Sequence, residues 1–403
     1  MIPREQERLL KQMAGWFPVL SVTGPRQSGK STLVQAVFPD YEYVNLENPQ
    51  TRTAAAQDPV GFIRNRPSNL IIDEAQYVPE LFSMIQTAAD ERNQPGQYVL
   101  SGSQNFLMLK HISQSLAGRV GLLKLLPLSY REASGALTSE GSEGLTPGLS
   151  ADEFMLKGGY PRLCASVDSA GELLPAQLFY SNYLSTYVER DVADYLDVRN
   201  LAGFRKFLRL CALRTGSLMN YSLLARDADV DARTAKAWLS ILESSYLAFT
   251  IEPYYANAGK RMVKTPKMYW YDTGLLCYLL GISNLRQLLL SPYLGAVFEN
   301  LIVAERLKSY LNRGKEPQLY FYRDAEQNEV DLLDYSNPEE PALVEIKSGQ
   351  TYRDSWAQGL NRLGELLGVG KSGRFVVSRV EDSFAARQAQ VLTAADWLLS
   401  EVG

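Results

Sequence analysis

Hydrophobic and polar positions along the chain alternate between two periods. Residues 19–23, Val-Leu-Ser-Val-Thr, form a short apolar run rich in β-branched side chains, and residues 32–38 repeat apolar side chains at helical spacing. Ahead of them, Leu9, Leu10, Met13 and Trp16 recur at near-helical spacing, which predicts an amphipathic helix within residues 4–17. Residues 41–46 read as a second strand. Residues 69–74 form an apolar strand that closes in two carboxylates, Asp73 and Glu74. Residues 97–105 repeat that form with small polar residues at the end, and 120–126 predict one further strand. The order predicts an α/β unit with a parallel sheet.

The pattern then changes. Pro127 and Ser129 are helix start signals, residues 134–150 are rich in Gly, Ser, Thr and Glu and read as a loop, and residues 152–192 are helical apart from the turn Gly158-Gly159-Tyr160-Pro161. Helical segments follow at 204–213, 221–228 and 231–245, the last opening on Asp231 as N-cap. A strand at 247–252, a hairpin tip at 257–261 and an aromatic strand from 267 complete this stretch. Short helix, turn and capped helix is the order of a helix-turn-helix, and the added hairpin gives the pattern of a winged helix. Its positive face would carry Arg233, Lys236, Lys260, Arg261, Lys264 and Lys267. Both DNA contact and protein contact are open to such a face. Residues 293–311 predict a long amphipathic helix, followed by strands at 318–322, 330–335 and 342–347, a helix at 354–367 and a strand at 374–380.

With 403 residues the chain is long enough for more than one core. Its net charge of −4 gives no overall pull toward nucleic acid or acidic membranes, so a nucleic-acid surface would have to be local. The 3 cysteines, Cys164, Cys211 and Cys277, have no metal-ligand spacing and read as reduced core residues, and the 1 histidine excludes a His-rich metal site. No apolar run approaches the roughly 18 residues of a membrane span, and charges stand where a signal peptide needs an apolar stretch. A soluble, cytoplasmic protein without membrane association is expected.

The chemistry concentrates at Gly24-Pro25-Arg26-Gln27-Ser28-Gly29-Lys30-Ser31-Thr32, which fits the phosphate-binding pattern GxxxxGK[ST] between a strand and a helix. Glycines let several backbone N–H groups surround a phosphate, Lys30 reaches the β and γ oxygens, and Ser31 offers its hydroxyl to Mg²⁺. ATP and Mg²⁺ are therefore the expected cofactors. Asp73 would hold the Mg²⁺ and Glu74 would polarise the attacking water, the pattern of a Walker B strand. Among Ser103, Gln104 and Asn105, Gln104 is the preferred sensor of the γ-phosphate, against a plain polar turn. Arg119 is either an arginine finger, which would imply a homo-oligomer, or a surface ion-pair residue. Arg162 and Arg190 either approach the nucleotide or pin helices together.

The phosphate loop, the Asp73-Glu74 pair and the Ser101-Gly102-Ser103 strand end resemble the AAA+ ATPases fused to a C-terminal domain of unknown function. Ile2-Pro3-Arg4-Glu5 and Gly158-Gly159-Tyr160-Pro161 also resemble motifs of the STAND class of signal-transduction ATPases, with Pro3 where that class usually has Gly. That resemblance implies an N-terminal segment near the adenine and a turn that closes on the nucleotide. The C-terminal order of helix, three strands, helix and strand is that of the PD-(D/E)xK nuclease fold. Glu299 falls on the first helix, Asp331 in the second strand and Glu345-Ile346-Lys347 in the third. The resemblance implies Glu299, Asp331 and Glu345 as metal ligands and Lys347 as the residue that orients or deprotonates water. Lys347 and Glu345 are two apart on a strand and share a face.

The expected organisation is a phosphate-loop ATPase core at 1–126, a helical lid at 127–200, a winged-helix segment at 201–285 and a nuclease-like α/β domain at 286–403. The expected function is Mg-dependent ATP hydrolysis coupled to a C-terminal domain that binds or cleaves DNA or RNA. The alternative is an ATP-dependent switch whose C-terminal domain is a non-catalytic nucleic-acid or protein-binding module.

Overall fold

The computed structural model describes residues 2–103, 108, 112, 115–137, 149–165, 171–188, 201–254, 265–324 and 326–400. The chain divides into two units. The first comprises Met1–Leu128 with the short segments Ser244–Tyr246 and Asn312–Gly314; the second comprises Ser129–Glu243, Leu247–Leu311 and Lys315–Gly403. Among the described residues, no helix is long and apolar enough to cross a membrane.

The first unit is built on five parallel strands: β1 (Val19–Thr23), β2 (Glu42–Asn45), β3 (Leu70–Asp73), β4 (Tyr98–Gly102) and β5 (Val120–Lys124), in the order β2-β3-β4-β1-β5. Every residue of β1, β3 and β4 is buried, as strands covered on both faces require. Alternation sorts their side chains. Leu70 and Ile72 join one core cluster with Leu81, Phe82 and Ile85 of helix Glu80–Arg92, while Ile71 joins Leu33 and Val34 of helix Lys30–Val37 on the other face. Asp73 follows Ile71 by two residues and so points to the side of the helix that leaves the phosphate loop. Because β4 lies between β3 and β1, its Ser101 pairs in register with both Asp73 and Val22.

The second unit contains an eight-stranded mixed sheet in the order β12-β13-β11-β10-β9-β8-β6-β7. Its strands are β6 (Ala248–Pro253), β7 (Lys267–Trp270), β8 (Leu319–Arg323), β9 (Glu329–Asp334), β10 (Ala342–Lys347), β11 (Arg374–Ser378), β12 (Phe384–Ala385) and β13 (Gln390–Thr393). Helices Leu201–Leu213, Tyr221–Asp227 and Ala232–Ser244 precede β6 as the periodicity predicts. The strands β6 and β7 pair antiparallel, yet they do not stand apart: β6 also pairs with β8, so one sheet runs through the boundary expected at residue 285. The buried Asn300 of helix Leu294–Leu311 fastens the edge strand, accepting from Trp270 N–H at 2.7 Å and donating to Trp270 C=O at 2.9 Å. Helix Gln358–Leu367 contributes Leu360 and Leu363 to a core with Leu343 of β10, Val376 of β11 and Val391 of β13.

Candidate functional site

In the first unit the loop between β1 and helix Lys30–Val37 adopts backbone that its sequence permits. Gln27 (φ 61°) and Gly29 (φ 94°) are left-handed, a combination that curls successive N–H groups toward one side. A side chain at Gly24 would place its Cβ 2.0 Å from the Leu125 carbonyl oxygen. The helix has no side-chain N-cap, so its first-turn N–H groups face an anion site in the way that phosphate-binding helices do. Buried Ser28 Oγ and Gln27 Oε1 have no hydrogen-bond partner in the protein. The unpaired Ser28 hydroxyl, a donor, fits a phosphate together with the lysine and serine beside it, while the Gln27 carbonyl oxygen can only accept.

Lys30 Nζ donates to the carbonyl oxygens of Gly24 (3.1 Å) and Pro25 (2.8 Å). Ser31 Oγ donates to Asp73 Oδ2 at 2.7 Å, which brings together the two residues expected to hold Mg²⁺. The same oxygen accepts from Tyr43 Oη at 2.6 Å, and Oδ1 accepts from Ser101 Oγ and, at 3.1 Å, from the Glu74 N–H. Burial and the neighbouring Asp73 carboxylate push the Tyr43 phenol far above its ordinary range, so it remains a donor. Glu74 itself sits in left-handed backbone (φ 54°, ψ 43°), a conformation unusual for a side-chain-bearing residue. Its Oε2 accepts from Gln76 Nε2 at 2.5 Å and Ser103 Oγ at 3.2 Å.

The other expected residues fall in different places. Gln104 and Arg190 lie outside the described residues, as do Lys260, Arg261 and Lys264. Arg119 is partly exposed and makes a two-pronged ion pair with Asp90, Nε at 2.5 Å and Nη2 at 3.0 Å. Arg4 is buried, and its guanidinium donates to the carbonyl oxygens of Ser28 (2.8 Å) and Leu126 (2.7 Å), tying the N-terminal segment to the phosphate loop's own backbone. The Gly158–Pro161 turn makes its contacts inside the second unit: Gly159 N–H donates to Asp272 Oδ2 at 2.7 Å, and Tyr180 Oη donates to Asp272 Oδ1 at 2.6 Å.

The second unit gathers four carboxylates and two lysines. Lys347 Nζ lies 2.5 Å from Glu345 Oε1 and 3.6 Å from Asp331 Oδ2, and the latter oxygen also accepts from Ile346 N–H at 2.7 Å. Glu299 is turned elsewhere. Its Oε1 accepts from Tyr269 Oη (2.7 Å) and faces Lys267 Nζ (3.3 Å), which in turn lies 2.6 Å from Glu329 Oε1. Lys267, expected on an exposed basic face, is therefore buried. It sits on strand β7 of the large sheet, where three neighbouring acids, Glu299, Asp331 and Glu329, outweigh the cost of burying its charge, whereas Arg233 and Lys236 of that expected face are exposed. Burial pushes the Glu299 carboxyl up to about 7 against the opposing pull of Lys267, and pushes Glu345 up to about 8, reinforced by Asp331.

Among the described residues no three His, Cys, Asp or Glu side chains are gathered to hold a metal ion. What does fit a divalent ion is the pair Asp331 and Glu345, because Glu345 Oε2 is buried with no hydrogen-bond partner. Tyr43, Gln76, Tyr269 and Glu329 have no role in the sequence reading, Ser101 enters it only within a strand end, and Lys267 only as part of a basic face. The one available signal was period-two spacing, which sets Lys267 and Tyr269 on one face of a strand; pairing of distant strands supplies the rest.

The sheet, the phosphate loop and the Ser31–Asp73 contact give the first unit the fold and site of a P-loop ATPase domain. Residues 17–134 match an AAA domain family, residues 149–286 a domain of unknown function (DUF8612) and residues 294–397 another (DUF4143). Uncharacterized proteins of Mycobacterium tuberculosis and Mycobacterium bovis are each 34% identical over 336 residues, covering 82% of this chain and 70% of their own. The chain belongs to the same family as these mycobacterial proteins. A further uncharacterized protein, from Methanocaldococcus jannaschii, is 21% identical over 83% of this chain and 76% of its own. Among solved structures, a Walker-type ATPase of Pyrococcus abyssi gives a TM-score of 0.42 at 15% identity, covering 69% of this chain and 96% of that one. A STAND protein with a tetratricopeptide repeat sensor from Pyrococcus horikoshii gives 0.29 at 16% identity, over 77% and 51%.

Proposed function

We propose that the first unit hydrolyses ATP with Mg²⁺ and that the second, nuclease-like unit acts on a nucleic-acid phosphodiester under its control. The observation that carries the first half is the 2.7 Å bond between Ser31 Oγ and Asp73 Oδ2, which joins the phosphate loop to the carboxylate at the end of β3. These two residues would hold Mg²⁺, which when bound neutralises charge on the β and γ oxygens. Lys30 gives up the carbonyls of Gly24 and Pro25 and turns its ammonium to the phosphate. Glu74 accepts a proton from the attacking water once its carboxylate leaves Gln76 and Ser103. Arg119 leaves Asp90 to serve a neighbouring copy, so dilution to a monomer is expected to lower turnover; a monomer with full activity removes the finger role.

In the second unit Asp331 and Glu345 would hold a divalent ion, which when bound offers Lewis-acid help to a phosphate oxygen. Lys347, hydrogen-bonded to Glu345, orients the water. The test is incubation of the full chain with Mg²⁺ or Mn²⁺ and ATP on single- and double-stranded DNA and RNA. Cleavage lost in Lys347→Ala supports the reading, and no cleavage by the unaltered chain ends its second half.

A second reading is favoured by the buried Lys267, which already neutralises Glu299 and Glu329. A site so filled suits a non-catalytic binding module switched by ATP. Nucleic-acid or protein binding that depends on nucleotide, without any cleavage, would select it.

A further inference from the structure

We propose that Lys267 is the resident cation of the second unit's site, so that this site takes up one exchangeable divalent ion, at Asp331 and Glu345, and not two. The inference rests on the metal-site reading given above and deepens it. Lys267 comes from β7, outside the 294–397 segment that supplies the other charged residues. Its side chain is only 3% exposed, and its Nζ reaches both Glu329 (2.6 Å) and Glu299 (3.3 Å). Tyr269, two residues along the strand, donates to the same Glu299 oxygen, and the Phe321 ring lies 5.3 Å from the ammonium. Two carboxylates at ion-pair distance offset the cost of burying the ammonium.

Two-metal sites work by sharing several carboxylates between closely spaced ions. Here two of the four carboxylates are committed to a cation that is part of the chain. Held by Glu299 and Glu329 and almost wholly buried, this lysine keeps its place when a divalent ion binds. Glu345 Oε2, which has no partner in the protein, and Asp331 remain for exchange. Lys267 is thus a positioning residue: it fixes Glu299 and Glu329 and sets the number of ions.

The test counts Mn²⁺ on the full, chelator-stripped chain without nucleotide, by the paramagnetic resonance of free Mn²⁺ and by calorimetry. Only ions lost in Glu345→Gln are attributed to this site. One such ion in the unaltered chain and two in Lys267→Met are expected. Should Lys267→Met not fold, Lys267→Gln, which keeps a neutral donor for Glu299 and Glu329, is expected to bind two ions; one ion in a folded Lys267 variant would overturn the role of Lys267. Two ions in the unaltered chain would overturn the role of Lys267 while leaving the metal site standing. Identical Mn²⁺ binding by the unaltered chain and Glu345→Gln would overturn the metal site and this inference with it.

Discussion

Asp73 Oδ2 accepts two hydroxyl hydrogen bonds at once, from Ser31 at 2.7 Å and from Tyr43 at 2.6 Å. Ser31 and Asp73 are separated by a loop, a strand and two helices in the chain, and Tyr43 reaches them from the neighbouring strand β2, whose Asn45 pairs with Asp73. The carboxylate is held before any nucleotide arrives.

Tyr43→Phe is therefore expected to leave the fold intact, lower stability by about 1 kcal/mol for a lost hydrogen bond, and raise the Mg²⁺ concentration needed for half-maximal ATP turnover. Thermal melting and Mg²⁺ titration of phosphate release check both. An unchanged Mg²⁺ requirement would remove Tyr43 from the site.

The carboxyls of Glu299 and Glu345 give the second unit a pH dependence in metal-free, chelator-containing buffer. Their folded-state values, pushed up to about 7 and about 8, exceed the ordinary 4.5, so the folded chain holds their protons more tightly than the unfolded one. Their contribution is fully present below the unfolded value and is lost as pH rises through the folded ones. Urea unfolding from pH 5 to pH 8.5 is expected to show falling stability of this unit, with a shallower fall in Glu345→Gln; a rise over that range would contradict the assignment.

A fragment of residues 286–403 lacks β6 and β7, leaving the edge of β8 unpaired and Glu299 and Glu329 without Lys267. It is expected to be aggregation-prone or unfolded by circular dichroism, whereas a fragment that also includes 247–285 keeps the sheet continuous. A well-folded, monomeric 286–403 fragment would contradict the role given to these strands.

Much of the fold is legible in the sequence because it is written locally. Residues 19–38 carry strand, glycine turn and helix in one uninterrupted stretch, and the strands at 318–347 announce themselves by short β-rich runs. Even Asp73 is readable, since an apolar strand ending in carboxylates after a phosphate loop has few other meanings. The environment of Lys267 is not readable that way. Its charge suggests a solvated face, and the pairing of β6 with β8 and the hold of Asn300 on Trp270 are what put β7 within reach of Glu329 and Glu299. Tyr43 is hidden for the same reason: its role depends on β2 lying beside β3, a neighbour relation that no local pattern encodes. The short strands β12 and β13, absent from the sequence reading, depend on distant pairing: β13 lies parallel to β11, and the two-residue β12 pairs with β13.

The central claim, hydrolysis of ATP in the first unit with Glu74 as the base, is tested most directly by Glu74→Gln. Glutamine preserves shape and can remain beside Gln76 and Ser103 but cannot accept the proton from water. ATP affinity close to that of the unaltered chain, with turnover lowered by about 10²- to 10⁴-fold, is the predicted result. Turnover equal to that of the unaltered chain would contradict it.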